Sequence, residues 1–309
     1  MDQLYTLRVF VAVAETGGFA AAARRLGLSA AAVTRSVAAL ERHLGARLFQ
    51  RSTRQVRLTD VGRAYLDDGR HVLDALGQAD ARASGAREVP QGHLTVTAPV
   101  LFGRLHVSPL LLDFLAQYPL VTARMLLVDR VVNLVEEGLD VAVRIARLAD
   151  SGLQAIPVGV VRRVLVASPE YLLRQGMPTH PEQLAAHHAI GLNTTGGPAL
   201  PWQFAAGADA PERLRSWAQP HVRFTVNASD VALQAARAGH GLARVLSYQV
   251  IEDVAAGRLR VVLEDFETPA IPVQLVHAEG RQAAAKVRAF IDFAAARLRS
   301  HPALRERRR

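Results

Sequence analysis

The 309-residue chain is half apolar and has a formal net charge of +9 at neutral pH; its length suffices for two or three compact units, and its charge favours an anionic partner. The absence of cysteine excludes a disulfide framework, a thiolate nucleophile and a cysteine-based zinc site. Neither a secretory leader nor a run of 18 apolar residues is recognisable, so we expect a cytoplasmic protein without a membrane span.

The first distinctive pattern predicts two helices on either side of a tight turn, between Phe19 and Leu44. The apolar positions of the first helix share one side and are Phe19, Ala22, Ala23 and Leu26. Gly27 follows where a left-handed C-cap is favoured. Ser29 is the predicted N-cap of the second helix, whose first turn presents partial positive charge to a phosphate.

The second helix has one apolar sector and one exposed sector. Its apolar sector holds Val33, Val37, Leu40 and Leu44, and the opposite sector holds Ala31, Thr34, Arg35, Ala38 and Arg42. Small residues allow close approach to a groove, and Arg35 has the donors to contact a guanine edge. The pattern therefore favours a DNA recognition helix, although an ordinary pair of packed helices would show much of it.

A short basic segment follows the second helix. Residues 51–59 alternate basic, polar and apolar residues, which predicts a hairpin, or wing, whose Arg51, Arg54 and Arg57 contact phosphates. Residues 1–62 contain nine arginines and four acidic residues, so over half of the positive excess lies in a fifth of the chain. This distribution supports nucleic acid as the anionic partner.

Taken whole, the first 60 or so residues resemble the winged helix-turn-helix of LysR-type transcriptional regulators. The matching residues are Leu7, Phe10, Val13, Glu15, Gly17, Phe19, Ala22, Ala23, Leu26, Leu28, Ser29, Ala31, Val33, Leu40, Glu41, Leu44, Gly45, Leu48, Phe49, Arg51, Thr59 and Gly62. We expect the second helix to read a major groove. The predicted DNA-binding residues are Ser29, Ala30, Ala31, Thr34, Arg35, Arg51, Arg54 and Arg57.

The chain departs from the family pattern at informative positions. Gly18 and Thr34 stand where serine is common, and Ala30 stands where glutamine or proline is frequent. Ala30 removes a side chain that could have hydrogen-bonded DNA at the helix start. The resemblance therefore predicts the fold of this region and leaves the operator sequence open.

A long helix is predicted from Val61 to about Glu88, with Thr59 as its cap. Its apolar residues recur at helical spacing, and they are Val61, Tyr65, Val72, Leu76, Ala79 and Ala83. Such a stripe on an otherwise charged helix favours pairing with the same helix of a second copy, which predicts a dimer. The alternative is packing of this helix on its own C-terminal domain.

Strands and helices alternate after Pro90-Gln91-Gly92 ends this helix. Predicted helices include Val131 to Glu137 and Tyr248 to Ala255, and the alternation predicts largely parallel sheets covered by helices. The chain passes into a second α/β unit near Val161 and returns through a strand at Ile271 to His277. This two-lobed plan resembles the periplasmic-binding-protein-like effector domain of the same family.

The predicted fold class is α/β overall, with an N-terminal winged helix-turn-helix, a long linker helix and a C-terminal two-lobed periplasmic-binding-protein-like α/β effector domain. The predicted domains are residues 1–60 for DNA binding, 61–89 for the linker and dimerisation helix, and 92–309 for effector binding. Within the last domain, lobe 1 comprises about 92–160 and 268–300, and lobe 2 comprises about 161–267.

Ligands of open α/β sheets collect beyond the carboxyl ends of strands, where two lobes would face each other. In the first lobe, the candidates are the residues of one strand-to-helix turn whose amides suit an anion, namely Pro99, Val100, Leu101 and Phe102. In the second lobe, the candidates are polar residues that follow two strands, namely Asn193, Thr194, Asn227 and Ser229. Ordinary turn chemistry would place the same residue types there.

Arg144 is an isolated charge near the end of an apolar strand. The alternation places Val141, Val143 and Ile145 on one face and Arg144 on the other. Arg144 would meet either a carboxylate ligand or a neighbouring acid in a structural ion pair, and the sequence leaves both open. The hypothesis that follows is that the effector is a small carboxylate, aromatic or not.

No catalytic set is recognisable: adjacent His187 and His188 suit no common metal site, and no Gly-x-Ser-x-Gly elbow occurs. We therefore expect a sequence-specific transcriptional regulator controlled by a small-molecule effector, with no enzymatic activity, no metal and no cofactor. Its expected partners are promoter DNA, the effector, a second copy of the chain and RNA polymerase. The resemblance further implies tetramers on DNA, autoregulation, and an effector that changes tetramer shape and DNA bending.

Two other classes of protein remain open at this point. A DNA-packaging protein without a ligand would bind DNA with little sequence preference and a steep salt dependence. An enzyme or solute-binding protein would use the two-lobed domain as its working part. The lack of a recognisable catalytic set disfavours an enzyme. The lack of a recognisable secretory leader disfavours a solute-binding protein.

Overall fold

A computed structural model describes residues 2–51, 56–84, 89–148, 152–193, 197, 201–217, 219–278 and 283–305, with backbone alone at 51, 78 and 81–84. The chain divides into two compact units. The first comprises Met1–His93 with Leu120–Thr122 and Ala284–Lys286, and the second comprises Leu94–Pro119, Ala123–Ala283 and Val287–Arg309. No helix of the described residues is long and apolar enough to cross a membrane.

The first unit consists of helices and one small hairpin. Its elements are α1 (Gln3–Thr16), α2 (Phe19–Leu26), α3 (Ala30–Leu44), β1 (Phe49–Arg51), β2 (Val56–Leu58) and α4 (Asp60–Ser84). The expected Gly27 cap of α2 is confirmed, since its backbone is left-handed at φ 66° and ψ 30°. The Leu28 amide then donates to the Ala23 carbonyl over 2.9 Å, which closes the helix end.

One core joins α1, α2, α3 and the hairpin. Its largest fully buried members include Phe10, Leu40 and Leu48, and Phe10 lies 5.3 Å from Phe49 between ring centroids. The expectation that Leu26 and Leu44 belong to this core is wrong, because each is 36% exposed. Each is the last residue of its helix and extends past the core residues of the preceding turns.

Helix α4 begins at the predicted cap, where the Gly62 amide donates to the Thr59 hydroxyl over 2.9 Å. One side of α4 packs in the core through Leu66. Val61 and Val72 on its other side are 54% and 49% exposed. The predicted extension of this helix over 85–88 lies outside the described residues.

The second unit contains two five-stranded sheets, each forming one lobe. The first sheet has the order β4 (Val121–Leu127), β3 (Gly92–Ala98), β5 (Val141–Ile145), β14 (Ile271–His277) and β6 (Gln154–Val161). The second has the order β11 (His221–Val226), β8 (His188–Leu192), β12 (Leu242–Leu246), β7 (Arg163–Ala167) and β13 (Arg260–Val262). Strand β6 leads into β7, and β14 returns to the first sheet, so the chain crosses twice between the lobes.

Helices and a second hairpin complete this unit. The helices are α5 (Val100–Phe102), which continues through a π-helical turn (Gly103–Val107) into α6 (Ser108–Gln117), then α7 (Pro169–Gln175), α8 (Ser229–Arg237), α9 (Ile251–Ala255) and α10 (Ala285–Ser300). The hairpin pairs β9 (Gln203–Ala205) with β10 (Leu214–Ser216) in antiparallel register.

The structure corrects several expectations for this unit. The sheets are mixed rather than largely parallel, because β14 runs antiparallel to β5 and β6, and β7 runs antiparallel to β12 and β13. The predicted helix over residues 131–137 is absent, and residues 134–138 form turns instead. The Asn133 side chain accepts a hydrogen bond over 3.1 Å from the Val135 amide, which a helix through this segment would use otherwise. The predicted helix from Tyr248 is interrupted at Val250, and strands β6, β9 and β10 were not predicted.

Candidate functional site

The exposed side of α3 presents five of the predicted DNA-binding residues, and we call it the recognition face: Ser29, Ala30, Ala31, Thr34 and Arg35. Ser29 is the N-cap, since its hydroxyl accepts from the Ala32 amide over 3.1 Å. Ala30, Ala31 and Arg35 are exposed, and Thr34 is half-buried with its hydroxyl donating to the Ala30 carbonyl over 2.9 Å. No carboxylate pairs with Arg35 among the described residues, so its guanidinium keeps its donors for another partner.

The hairpin after α3 is held by one carboxylate of that helix. Glu41 Oε1 accepts from the amides of Leu48 and Phe49 over 2.9 and 3.1 Å, which fixes the start of β1. Arg57 is exposed on β2 opposite Gln50. Arg51 ends β1, with its backbone alone described, and Arg54 lies outside the described residues.

A cleft of about 650 Å³ lies between the two lobes of the second unit, and we call it the interlobe cleft. Of the predicted effector residues, the structure places Pro99, Arg144, Asn193 and Ser229 in its lining. Four further arginines line it, namely Arg130, Arg147, Arg163 and Arg244. Asp129 is the only acidic residue among the described residues of this lining. The cleft is therefore a strongly cationic site with apolar walls.

Three other predicted effector residues lie beside the interlobe cleft. Val100, Leu101 and Asn227 line a smaller neighbouring cleft of about 460 Å³, which Ser229 also borders. The Val100 amide, predicted to hold an anion, already donates to Asp129 Oδ1 over 3.0 Å. A carboxylate of the chain itself thus takes the place expected for a ligand.

Phe102 does not line the interlobe cleft, contrary to expectation. It is completely buried, and its ring centroid lies 5.1 Å from that of Tyr248 and 4.8 Å from that of His106. Burial, together with a smaller contribution from the nearby His301, lowers the pKa of His106 to about 4. Thr194 lies outside the described residues.

Arg144 is half-buried in β5, and a guanidinium nitrogen donates to the Val132 carbonyl. No carboxylate pairs with it in the part of the chain that the structure describes. Its guanidinium carries five donors, so most of them remain for a ligand. By contrast, Arg130 in the same lining is held by Glu137 through two hydrogen bonds of 2.7 Å.

Arg163 and Arg244 lie on neighbouring antiparallel strands of the second lobe. The register pairs Arg163 with Leu246 and Arg244 with Leu165, which places the two arginines diagonally on one face of the sheet. Arg244 is fixed there, because it donates to the Gln203 carbonyl and its guanidinium carbon lies 4.8 Å from the centroid of the Phe204 ring. Desolvation lowers the pKa of Arg244 to about 9, with a contribution from the Arg163 charge.

The sequence reasoning missed these two arginines. Each is a single charge in an otherwise apolar strand, which is the same signal that identified Arg144. Applying that test to every strand would have found both.

Histidines contribute no metal site to the described residues, and no group of three potential metal ligands occurs among them. His187 is buried, and its Nδ1 lies 3.1 Å from the Tyr171 hydroxyl. Burial lowers the pKa of His187, so this residue is a neutral member of the core.

Comparisons with known proteins match both units. Residues 4–63 match a family model described as "Bacterial regulatory helix-turn-helix protein, lysR family", and residues 87–299 match "LysR substrate binding domain". Similar proteins include the probable HTH-type transcriptional regulator LtrA of Klebsiella pneumoniae, 33% identical over 95% of this chain and 94% of that protein. The regulator DmlR of Escherichia coli is 34% identical over 94% of this chain and 92% of that protein.

Solved structures with a similar fold over nearly the whole chain include those of two regulators. CrgA, a LysR-type regulator from Neisseria meningitidis, matches with a TM-score of 0.58 and 30% identity over 95% of this chain and 98% of that one. The Vibrio cholerae virulence activator AphB matches with a TM-score of 0.58 and 27% identity over 95% of this chain and 99% of that one.

Proposed function

Because this chain belongs to the LysR family of DNA-binding transcriptional regulators, we propose that its recognition face reads operator DNA and that its interlobe cleft binds a small carboxylate effector. Regulators of this family bind promoter DNA and effectors and form oligomers. We propose domain boundaries for these roles at residues 1–60, 61–89 and 92–309. RNA polymerase is a further proposed partner, the proposed location is the cytoplasm, and we propose no enzymatic activity.

The exposed Arg35 carries the DNA-binding part of the proposal. It lies on the outer face of α3 near the capped helix start, with its donors available, and small alanines surround the helix start. A recognition helix enters the major groove with its N-terminal residues at base edges. In this proposal Thr34 and Arg35 contact bases, while Ser29, Arg51, Arg54 and Arg57 contact phosphates.

The arginines of the interlobe cleft are the main observation that supports a carboxylate effector. A cavity of this size accommodates a small organic ligand, and Arg144 offers donors in the planar geometry that a carboxylate accepts. Anchoring to the Val132 carbonyl orients the guanidinium before a ligand arrives.

The exposed apolar side of α4 supports dimerisation through this helix, with tetramers on DNA as the further assembly. Val61 and Val72 are both exposed, and packing against a partner helix would bury their side chains. We expect Val72→Asp to raise the dimer dissociation constant at least tenfold, measured by sedimentation velocity. The control is Gly77→Asp, because Gly77 is exposed on the same helix but points away from Val72. An equal effect of both changes would contradict this interface.

The test of the proposed function is selection of bound sequences from a random DNA pool at near-physiological salt, using the full chain. We expect an enriched, partly symmetric site, because a dimer presents two recognition helices. Binding without enrichment would instead indicate a packaging protein. Absence of binding would move the working part of the protein to the two-lobed domain.

A further inference from the structure

Cationic groups on both lobes face the interlobe cleft without a carboxylate partner among the described residues. Arg144 belongs to the first lobe, and Arg163 and Arg244 belong to the second. Asp129, the acidic residue of the lining, accepts the Val100 amide instead. Arg130 is paired with Glu137, whereas no ion pair joins Arg144, Arg163 or Arg244 to a carboxylate of the described residues. Each lobe therefore offers at least one arginine to an anion.

The two sets of arginines are anchored independently. Arg144 donates to the Val132 carbonyl, while Arg244 donates to the Gln203 carbonyl and stacks on Phe204. Each anchor uses one or a few donors of a five-donor group, so each guanidinium stays oriented and still has donors left. Such anchoring reduces the ordering cost of binding an anion.

The second-lobe pair concentrates positive charge on one sheet face. Arg163 and Arg244 are diagonal neighbours in the β7–β12 register, a spacing of roughly 7–8 Å between backbones. Arg163 has solvent-accessible surface, yet desolvation by the surrounding protein lowers its pKa. Two such neighbours form a place where one anionic group would meet two guanidinium groups.

Half-buried apolar residues also belong to the lining of the cleft, among them Val128, Ile145 and Leu246. A ligand with a short hydrocarbon middle and charged ends would match this distribution, whereas a ligand with one charge would leave the arginines of one lobe without a counter-ion.

Resting on the proposed effector role of the cleft, we propose that the effector is a small dicarboxylate that bridges the lobes. One carboxylate contacts Arg144, and the other contacts Arg163 and Arg244. Because each end contacts a different lobe, binding stabilises one particular arrangement of the two lobes.

The test is binding of matched acids to the full chain at fixed ionic strength, followed by thermal unfolding and titration calorimetry. The dicarboxylates are succinate, glutarate and adipate, and the monocarboxylates of the same chain length are butanoate, pentanoate and hexanoate. We expect at least one dicarboxylate to bind tenfold or more tightly than its matched monocarboxylate. Arg144→Gln and Arg244→Gln should each reduce this ratio to about one.

Two arginines outside the cleft provide matched controls. Arg299 donates to the Pro157 carbonyl over 3.2 Å, and Arg144 has the same kind of contact with the Val132 carbonyl. Arg215 lies over the Trp217 ring at 5.8 Å, and Arg244 has the same kind of contact with the Phe204 ring. Arg299→Gln and Arg215→Gln should leave the ratio unchanged. Arg163→Gln removes no anchoring contact among the described residues, so it tests the second-lobe site even if Arg244→Gln unfolds the lobe.

The outcomes distinguish the bridging dicarboxylate from the proposed effector role of the interlobe cleft. Equal binding of both acid series, weakened by Arg144→Gln alone, would overturn the bridging dicarboxylate and retain a carboxylate effector at Arg144. Binding that none of the cleft variants weakens would overturn both assignments to the cleft. No binding of any of the six acids would overturn the bridging aliphatic dicarboxylate, and it would leave the DNA selection result unaffected.

Discussion

The recognition face and the interlobe cleft are both cationic, but the chain builds them in different ways. Every residue of the recognition face comes from one segment, Ser29 to Arg35, and one capped helix orients all of them. The cleft takes its arginines from separate strands and turns of two sheets. The recognition face thus depends on local helix geometry, whereas the cleft depends on strand register.

The two surfaces also differ in how strongly water screens their charge. Arg35 is exposed, so water and salt screen its charge. Arg244 is half-buried, and desolvation together with Arg163 lowers its pKa. Charge in the cleft is therefore costly without a ligand, and a counter-ion there gains more than one at the recognition face.

The largest expected effect concerns the local packing that supports the recognition face. A Cβ at Gly62 would lie 2.1 Å from the Leu48 carbonyl oxygen, which is backbone and cannot move freely. We expect Gly62→Ala to destabilise the first unit by about 3 kcal/mol through overpacking. Hydrogen-exchange protection of α1 amides measures this loss.

Gly77→Ala is the matched control on the same helix. Nothing lies within 4 Å of a Cβ at Gly77, so alanine should stabilise α4 by roughly 0.5–1 kcal/mol through helix propensity. Equal protection in the two variants would show that the close contact between Gly62 of α4 and Leu48 does not support this surface.

The next effect tests base reading at the recognition face. Arg35→Ala should weaken binding to the selected operator by about 1–3 kcal/mol and binding to random DNA much less, because a base contact adds sequence discrimination. Titration of both DNAs by fluorescence anisotropy measures the difference. Arg42→Ala, at an exposed position in the last turn of α3, is the control. An equal loss on both DNAs would make Arg35 a phosphate contact.

The sequence predicted these two surfaces to different extents for a physical reason. The caps at Ser29 and Thr59 depend on neighbours three residues away, so local pattern identified them. Local pattern wrongly predicted a helix over residues 131–137, because the Asn133 side chain competes for amides that a helix would use. Arg163 and Arg244 meet only through the pairing of β7 with β12, which no local pattern specifies.

A smaller effect concerns the aromatic cluster behind the interlobe cleft. His106 lies 5.6 Å from Tyr248 and 4.7 Å from His301 between ring centroids. Its pKa of about 4 lies below the ordinary 6.5, so the unfolded chain binds more protons than the folded chain between these values. The stability that this residue contributes is complete above pH 6.5 and is lost as the pH falls to about 4.

Replacing His106 with Phe should remove this pH dependence and keep the aromatic packing. The loss of unfolding free energy between pH 6.5 and pH 4 should shrink by about 1–2 kcal/mol, a value reduced for the partial exposure of the ring. Denaturant unfolding at several pH values measures it. An unchanged pH profile would mean that His106 is not held neutral by its surroundings.

The smallest effect tests whether repulsion between the arginines of the cleft destabilises the protein in the absence of a ligand. Arg163→Gln removes one of two neighbouring cations on the second sheet, so the unfolding free energy of the second unit should rise by roughly 0.5–1 kcal/mol after solvent screening. The unfolding temperature should increase by about 2–3 °C. Arg215→Gln, beyond the cleft on β10, should leave it unchanged. A lower unfolding temperature would show that Arg163 stabilises the fold. The expected rise means that Arg163 lowers the stability of the protein without a ligand while providing a positive charge for an anion.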